Sequence, residues 1–299
     1  MRAHRLRLPS PLQRRIEVLA EALLSPGPAG LPDFSAPPSE PALVPAESVS
    51  WRVFANPVTL FVGGVAAVIL ELAEPRVRHG VWEHSAFRTR PLERLQRTGL
   101  AALVTIYGPE SAARTMIAGV RAAHERVSGT TPEGLAYRAS DPELLDWVQA
   151  TAAWGFLAAY TAYAGPLATS ERDRFYAEGV PVGALYGATG APASEAAWEA
   201  LCRRMLPSLG PSAALDEFLA IMDRVEALPG AARPLQRLLV RAAVSLVPPP
   251  LQQTLRLSER GLRRWERPVA IGAGRAAEQL RLERWPSVQA ARRLGRPHA

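Results

Sequence analysis

The sequence predicts an all-α protein built as a single multi-helix globular domain, and three observations lead there. From Trp51 onward, apolar residues recur every three or four positions rather than in strict alternation. The chain there is rich in alanine and leucine, with proline and glycine as punctuation. Several stretches also open on helix-start signals. In Asp141-Pro142-Glu143 an N-cap is followed by a first-turn proline and an acid at the positive end of the helix dipole. With 299 residues, 48% of them hydrophobic and 21% charged, the chain can bury a sizeable core. Collagen-like, coiled-coil and wholly disordered classes are excluded.

Three parts are expected in order: residues 1–50, a helix and a proline-rich extended segment; 51–250, the main domain; and 251–299, an arginine-rich helical extension packed on it. Gln13 to Leu24 sets Ile16, Leu19, Ala20 and Leu23 against Arg14, Arg15, Glu17 and Glu21, an amphipathic opening helix. Prolines from Pro26 to Pro45 then make 25–46 an extended stretch that either wraps the body or hangs loose. Helices are predicted over 58–73, 91–106, 110–128, 141–164, 170–188, 194–206, 212–227, 231–246, 251–265 and 274–293. Ser170 and Asp173 have the spacing of a capping pair, and Gly129 to Gly134 reads as a plain turn between helices.

The thirteen residues from Val58 to Leu70 are the most apolar run. They fall short of the roughly twenty needed to cross a bilayer, so a buried helix is expected and no transmembrane segment. The first twenty-five residues never reach the apolar stretch of an export signal, and a cytoplasmic location is the expectation. One cysteine, Cys202, permits no internal disulfide, and no Cys/His spacing suits structural zinc.

All 35 basic residues are arginine, against 28 acids, for a net charge of +7. The surplus concentrates between Arg256 and Arg293, with Trp265 and Trp285 interleaved. A polyanion-binding tail and a solvated terminal helix with snorkelling side chains both fit this pattern. The second is preferred, and nucleic acid is not the expected partner.

Hydrolase elbows, phosphate loops and a dinucleotide fingerprint are missing; Gly63-Gly64 lacks the rest of the last. Imidazole chemistry within the body of the chain rests on His79, His84 or His124. His124 shares a helical face with Arg121, and Arg94 shares one with Thr98. Spacing alone favours a hydrogen-bonded bystander for His124 and a pairing with Glu93 or Glu110 for Arg94.

A larger pattern changes that balance. Trp51-Arg52-Val53, Gly63-Gly64, Leu72-Ala73-Glu74-Pro75, Gly80-Val81, His84-Ser85-x-Phe87 and Arg94-Leu95-x-Arg97-Thr98 occur in that order. They are followed by Tyr107-Gly108, Arg121-x-x-His124-x-x-Val127-x-Gly129-Thr130, Asp141-Pro142-Glu143-Leu144-Leu145-x-Trp147-Val148 and Ser170-Glu171-Arg172-Asp173-Arg174-x-Tyr176. This ordered set resembles the oxygenase MpaB and latex-clearing-protein (rubber oxygenase) family.

The resemblance implies a globin-reminiscent helical core holding one b-type haem without covalent attachment. It makes His124 the axial iron ligand, puts Arg94 and Thr98 on the distal side, and gives Arg121 a haem propionate as partner. The family's carboxylate base corresponds to Glu71 or Glu74. Glu74 and Gln149 stand where many relatives have histidine, and Ser128 stands where they have an arginine; His79 and His84 are the candidates to compensate. The implied activity is that of a haem-dependent oxidoreductase using dioxygen on an apolar small molecule, isoprenoid or another specialised metabolite. The alternatives are a haem-dependent dehydrogenase or oxidase that desaturates without cleavage, and a haem-free binding scaffold.

Overall fold

The computed structural model describes residues 10–22, 31–228, 230–280 and 282–296. Among these, there are fourteen α-helices and one small, largely exposed two-stranded hairpin, so the fold is all-α. Helices α1 (Ser10–Ala22) and α2 (Val49–Val53) precede α3 (Pro57–Ala73), the central helix, and α4 (Pro75–His84). Next come α5 (Pro91–Tyr107), α6 (Glu110–His124), the hairpin β1 (Ser128–Thr130) and β2 (Ala136–Arg138), and the long α7 (Pro142–Tyr163). Helices α8 (Thr169–Tyr186), α9 (Glu195–Met205), α10 (Ala213–Arg224), α11 (Arg233–Leu246), α12 (Pro249–Thr254), α13 (Glu266–Gln279) and α14 (Pro286–Arg293) complete the order.

The core is organised by α3 crossing α7. Asn56 starts α3 by accepting from the amides of Val58 and Thr59, each at 3.1 Å, with Pro57 in the first turn. Gly63 meets Gly155 at the crossing, where a methyl group on Gly63 would lie 2.8 Å from the Gly155 carbonyl oxygen. Only glycine at both positions lets two backbones come this near. The Asn56 amide group donates to the Gly274 carbonyl at 2.9 Å, tying α13 to the same corner. No single helix among the described residues is long and apolar enough to cross a membrane; α3 and α4 pass together by composition but bend by 109°.

The predicted helices recur except at identifiable points. Glu74 is extended (φ −84°, ψ 122°) because it precedes a proline, so α3 stops and α4, which the periodicity did not reveal, begins at Pro75. The helix expected over 110–128 ends at His124, and of the plain turn expected at 129–134, Gly129 and Thr130 belong to strand β1 while 131–134 form part of the hairpin loop, with Gly134 at φ 84°. Three-residue strands are too short to announce themselves by alternation. The helix expected over 251–265 is only α12, since Arg256 adopts a left-handed φ of 56° that ends it. The one expected over 274–293 is two helices, α13 and α14, with Pro286 opening the second. Ser170 and Asp173 do not cap α8; Glu171 accepts the Ala168 amide instead, at 2.9 Å, and Asp173 accepts from Glu195 at the start of α9. Leu23 and Leu24 of the opening helix, and residues 25–30 of the proline-rich stretch, lie outside the described residues. Residues 31–46 wrap the body, with Phe34 fully buried.

Candidate functional site

The far face of α3 positions one carboxyl group. Phe61, Gly64, Val68 and Glu71 recur every three or four residues and keep accessible surface, although the helix is central to the fold. Glu71 is deeply enclosed by protein and still keeps some accessible surface. Burial pushes its pKa up to about 7, against the opposing pull of the Arg94 charge.

Arg94 stands on α5, which begins at Pro91 without a side-chain cap. Its neighbours take the acids that the spacing offered to it. Arg90 and Arg97 pair with Glu93, while Arg114 holds Glu110. Arg94 is left to turn inward, where burial draws its guanidinium below the usual arginine range and Glu71 partly restores it. Its Nη1 donates to the Thr98 hydroxyl, and that hydroxyl donates to the Arg94 carbonyl at 2.8 Å. The proton of Thr98 is therefore engaged with backbone, and the residue holds the guanidinium in place. Thr98 itself is exposed, so the site runs from an enclosed carboxyl group to an open edge.

His124 is the last residue of α6, and the hairpin fixes where it sits. Val127 donates back to the His124 carbonyl at 3.0 Å, and the chain enters β1 directly after. Tyr137 of β2 is buried, with its hydroxyl donating to Glu83 and meeting His84, both on α4. Gly129 lies so close to the Tyr137 hydroxyl that a side chain would collide, at 2.5 Å. The end of α6 is thereby pinned to α4, which follows the helix that carries Glu71 after a sharp bend at Glu74. The His124 Nδ1 is buried and has no hydrogen-bond partner. Burial first, and the Arg94 charge second, lower its pKa, so the ring is neutral at pH 7.

Glu71, Arg94, Thr98 and His124 thus form one electrostatically connected group. The other residues singled out from the sequence are placed elsewhere or at its edge. Glu74 caps α4, accepting from Val77 and from the Arg76 Nε at 2.8 Å each, and is 1% exposed. These contacts occupy both of its oxygens; of the two candidate acids, Glu71 is the one coupled to Arg94. His79 is bonded to the Pro75 carbonyl at 2.7 Å, and exposed His84 is engaged with Tyr137. Gln149, on α7, lies against Gly179 and Gly183 of α8, where a methyl group on Gly183 would come 3.2 Å from its Cγ. Arg121 is exposed on α6 and pairs with no acid among the described residues.

One pair escaped the sequence reading. Thr105 and Tyr186 join α5 to α8 through their hydroxyls, 2.9 Å apart. Thr105 follows Thr98 by seven residues, on the same helical face, and that spacing was the available signal.

An enclosed imidazole nitrogen without a partner costs about 1–3 kcal/mol unless something bonds to it. A neutral imidazole that feels a fixed cation, itself coupled to an enclosed carboxyl group, suits a haem iron, which takes a neutral ring nitrogen as ligand. No group of three or more His, Cys, Asp or Glu side chains among the described residues could hold a bare metal ion instead. Comparison with curated proteins and with solved structures gave no match. A family model for the ER-bound oxygenase mpaB/B′/rubber oxygenase catalytic domain does match, over residues 51–292, which span every residue of the site, and the chain belongs to that family.

Proposed function

We propose that this oxygenase-type domain is haem-dependent, that His124 is the protein's ligand to the iron, and that the substrate is an apolar small molecule oxidised with dioxygen. The observation that carries this reading is the buried, unpartnered Nδ1 of a half-buried, neutral His124 that feels the charge of Arg94, which is itself coupled to Glu71. A haem bound there supplies the one-electron and dioxygen chemistry that no amino-acid side chain offers.

The chain's own residues supply the rest. Arg94 is a fixed cation in a poorly solvated place, and its role is to stabilise negative charge that develops within the site. Thr98 holds the guanidinium in register rather than relaying a proton, because its own proton is engaged with a backbone carbonyl. Glu71, with a pKa near 7, exchanges a proton at its carboxyl oxygens close to neutral pH, which suits a general acid or base. Val68 and Phe61, about one and three turns back along α3 from Glu71, present an apolar wall that excludes water and receives a hydrocarbon chain. Arg121, exposed and without an acid partner, is available to a propionate carboxylate.

The test is the absorption spectrum of the purified protein after haem supplementation. The native chain is expected to show a sharp Soret band that His124→Ala abolishes. Arg94→Ala is expected to keep the band and to lose dioxygen consumption with a polyprenyl hydrocarbon probe. A well-folded but colourless native protein would overturn the haem reading, and loss of haem from Arg94→Ala would move Arg94 from chemistry to cofactor retention.

A further inference from the structure

The arginine-rich C-terminal part sorts into distinct groups once folded. Arg293 is buried, Arg241 binds Glu266, Arg260 binds Asp216, Arg284 binds Glu21 and Arg292 binds Glu283. Arg263, Arg264, Arg267 and Arg275 are exposed and form no ion pair with a carboxylate among the described residues. All four lie on α13 or just before it.

The same helix leaves an apolar face uncovered. Its inner side, with Glu266, Ala270 and Gly274 buried, packs on α3, α7 and α11. On the outer side Trp265 is 65% exposed and Val269 50%, four residues apart. Pro268, Gly272 and Ala276 continue that exposed sector along one face. Its two acids are turned inward: Glu266 is held by Arg241, and Glu278 is bonded to Asn56 and Tyr160. The outer surface of α13 is therefore an apolar stripe led by a tryptophan, bordered by arginines and free of acid. Trp285, which the sequence pairs with Trp265, is 3% exposed and takes no part.

We infer that α13 is an interfacial helix that seats the protein on an anionic lipid bilayer, with Trp265 and Val269 entering the headgroup region and Arg264, Arg267 and Arg275 meeting the lipid phosphates and carboxylates. Charge complementarity selects this occupant. A second copy packing stripe to stripe would bring its arginines against the same arginines. A nucleic acid would satisfy the guanidinium groups but leave the valine, glycine and alanine positions without a partner. A bilayer surface satisfies both halves, since aromatic and aliphatic side chains anchor in the interface and each basic residue near an anionic leaflet strengthens binding about fivefold.

The test is sedimentation of the full chain with vesicles of phosphatidylcholine containing three parts in ten phosphatidylserine, against vesicles of phosphatidylcholine alone, at near-physiological salt. The native protein is expected to bind the anionic vesicles at least about tenfold more strongly. Trp265→Ser with Val269→Ser is expected to weaken that binding about tenfold. Arg264→Gln, Arg267→Gln and Arg275→Gln together are expected to weaken it by about a hundredfold, with thermal midpoints unchanged because every altered side chain is exposed. No sedimentation with anionic vesicles, or equal binding by native protein and both variants, would overturn the inference. So would a light-scattering dimer that Trp265→Ser dissociates, or salt-sensitive retention of single-stranded DNA in place of vesicle binding.

Discussion

Two acids three residues apart on one chain have opposite fates, and the proline after the second decides which. Glu74 precedes Pro75, leaves the helix and spends both oxygens on Val77 and Arg76, while Glu71 stays helical with its carboxyl group enclosed and under the influence of Arg94. The Glu71 pKa is raised, so the folded protein holds a proton that the unfolded chain has released between about pH 4.5 and pH 7. Stability of the haem-free protein therefore falls as pH rises through that window, by at most about 3 kcal/mol. Glu71→Gln removes the dependence. Urea midpoints of the two proteins should nearly coincide at pH 5 and separate in favour of the variant at pH 8; equal midpoints at pH 8 would mean that Glu71 is solvated. Much of this site was legible in the sequence, because Arg94 with Thr98 and Arg121 with His124 are local patterns. What spacing could not supply was the direction of Arg94, which depends on Arg90, Arg97 and Arg114 taking the nearby acids, or the choice between Glu71 and Glu74. For the latter the Glu-Pro junction held the answer.

At the scale of elements, the start of α7 at Asp141-Pro142-Glu143 was readable, the short α2 behind its Ser48 cap was not, and helix ends were lost where tertiary contacts override propensity. The region after Leu246 shows why: Leu251, Leu255 and Leu262 keep helical spacing in the sequence, although α12 ends at Thr254 and the last two lie beyond it. Glycines separate these cases well, since only some are needed. At the α3–α7 crossing, Gly63→Ala would push a methyl group against the Gly155 carbonyl and the Phe156 Cα, both 2.8 Å from its ideal position. Both are backbone atoms and cannot move aside, so a loss of about 2–3 kcal/mol is expected. Because Glu71 lies two turns further along α3, haem retention should weaken in the same variant. Gly119→Ala, on an exposed turn of α6 with nothing within 4 Å, should instead stabilise by about 0.5–1 kcal/mol, as alanine does in a helix interior. Urea titration of both variants decides it, and similar effects from the two would show that α3 and α7 can separate without cost.

Across the whole molecule, one buried cation joins the two ends of the described chain to its middle. Arg293, on α14, is 3% exposed and faces no carboxylate within ion-pair reach. Its guanidinium donates to three backbone carbonyls instead: Phe34 at 2.7 Å, Glu40 at 2.8 Å and Tyr107 at 2.8 Å. Those oxygens belong to the proline-rich wrap and to the end of α5, where prolines in the wrap cannot offer amides of their own to neighbouring elements. The wrap is stitched further by Phe34 donating to Gln289 and by Glu110 donating to the Pro41 carbonyl. An arginine remains charged even where burial lowers its pKa, so this clamp does not depend on pH across the physiological range. Arg293→Met preserves much of the volume and removes all three donors, leaving buried carbonyls unsatisfied at a cost of about 1 kcal/mol each. The variant should lose roughly 3 kcal/mol of stability. Residues 31–46 should become cleavable by a protease that spares the native chain, while the Soret band of the haem-loaded protein stays as it was. Unchanged resistance of that segment would mean that burial of Phe34, and not the guanidinium, holds the wrap in place.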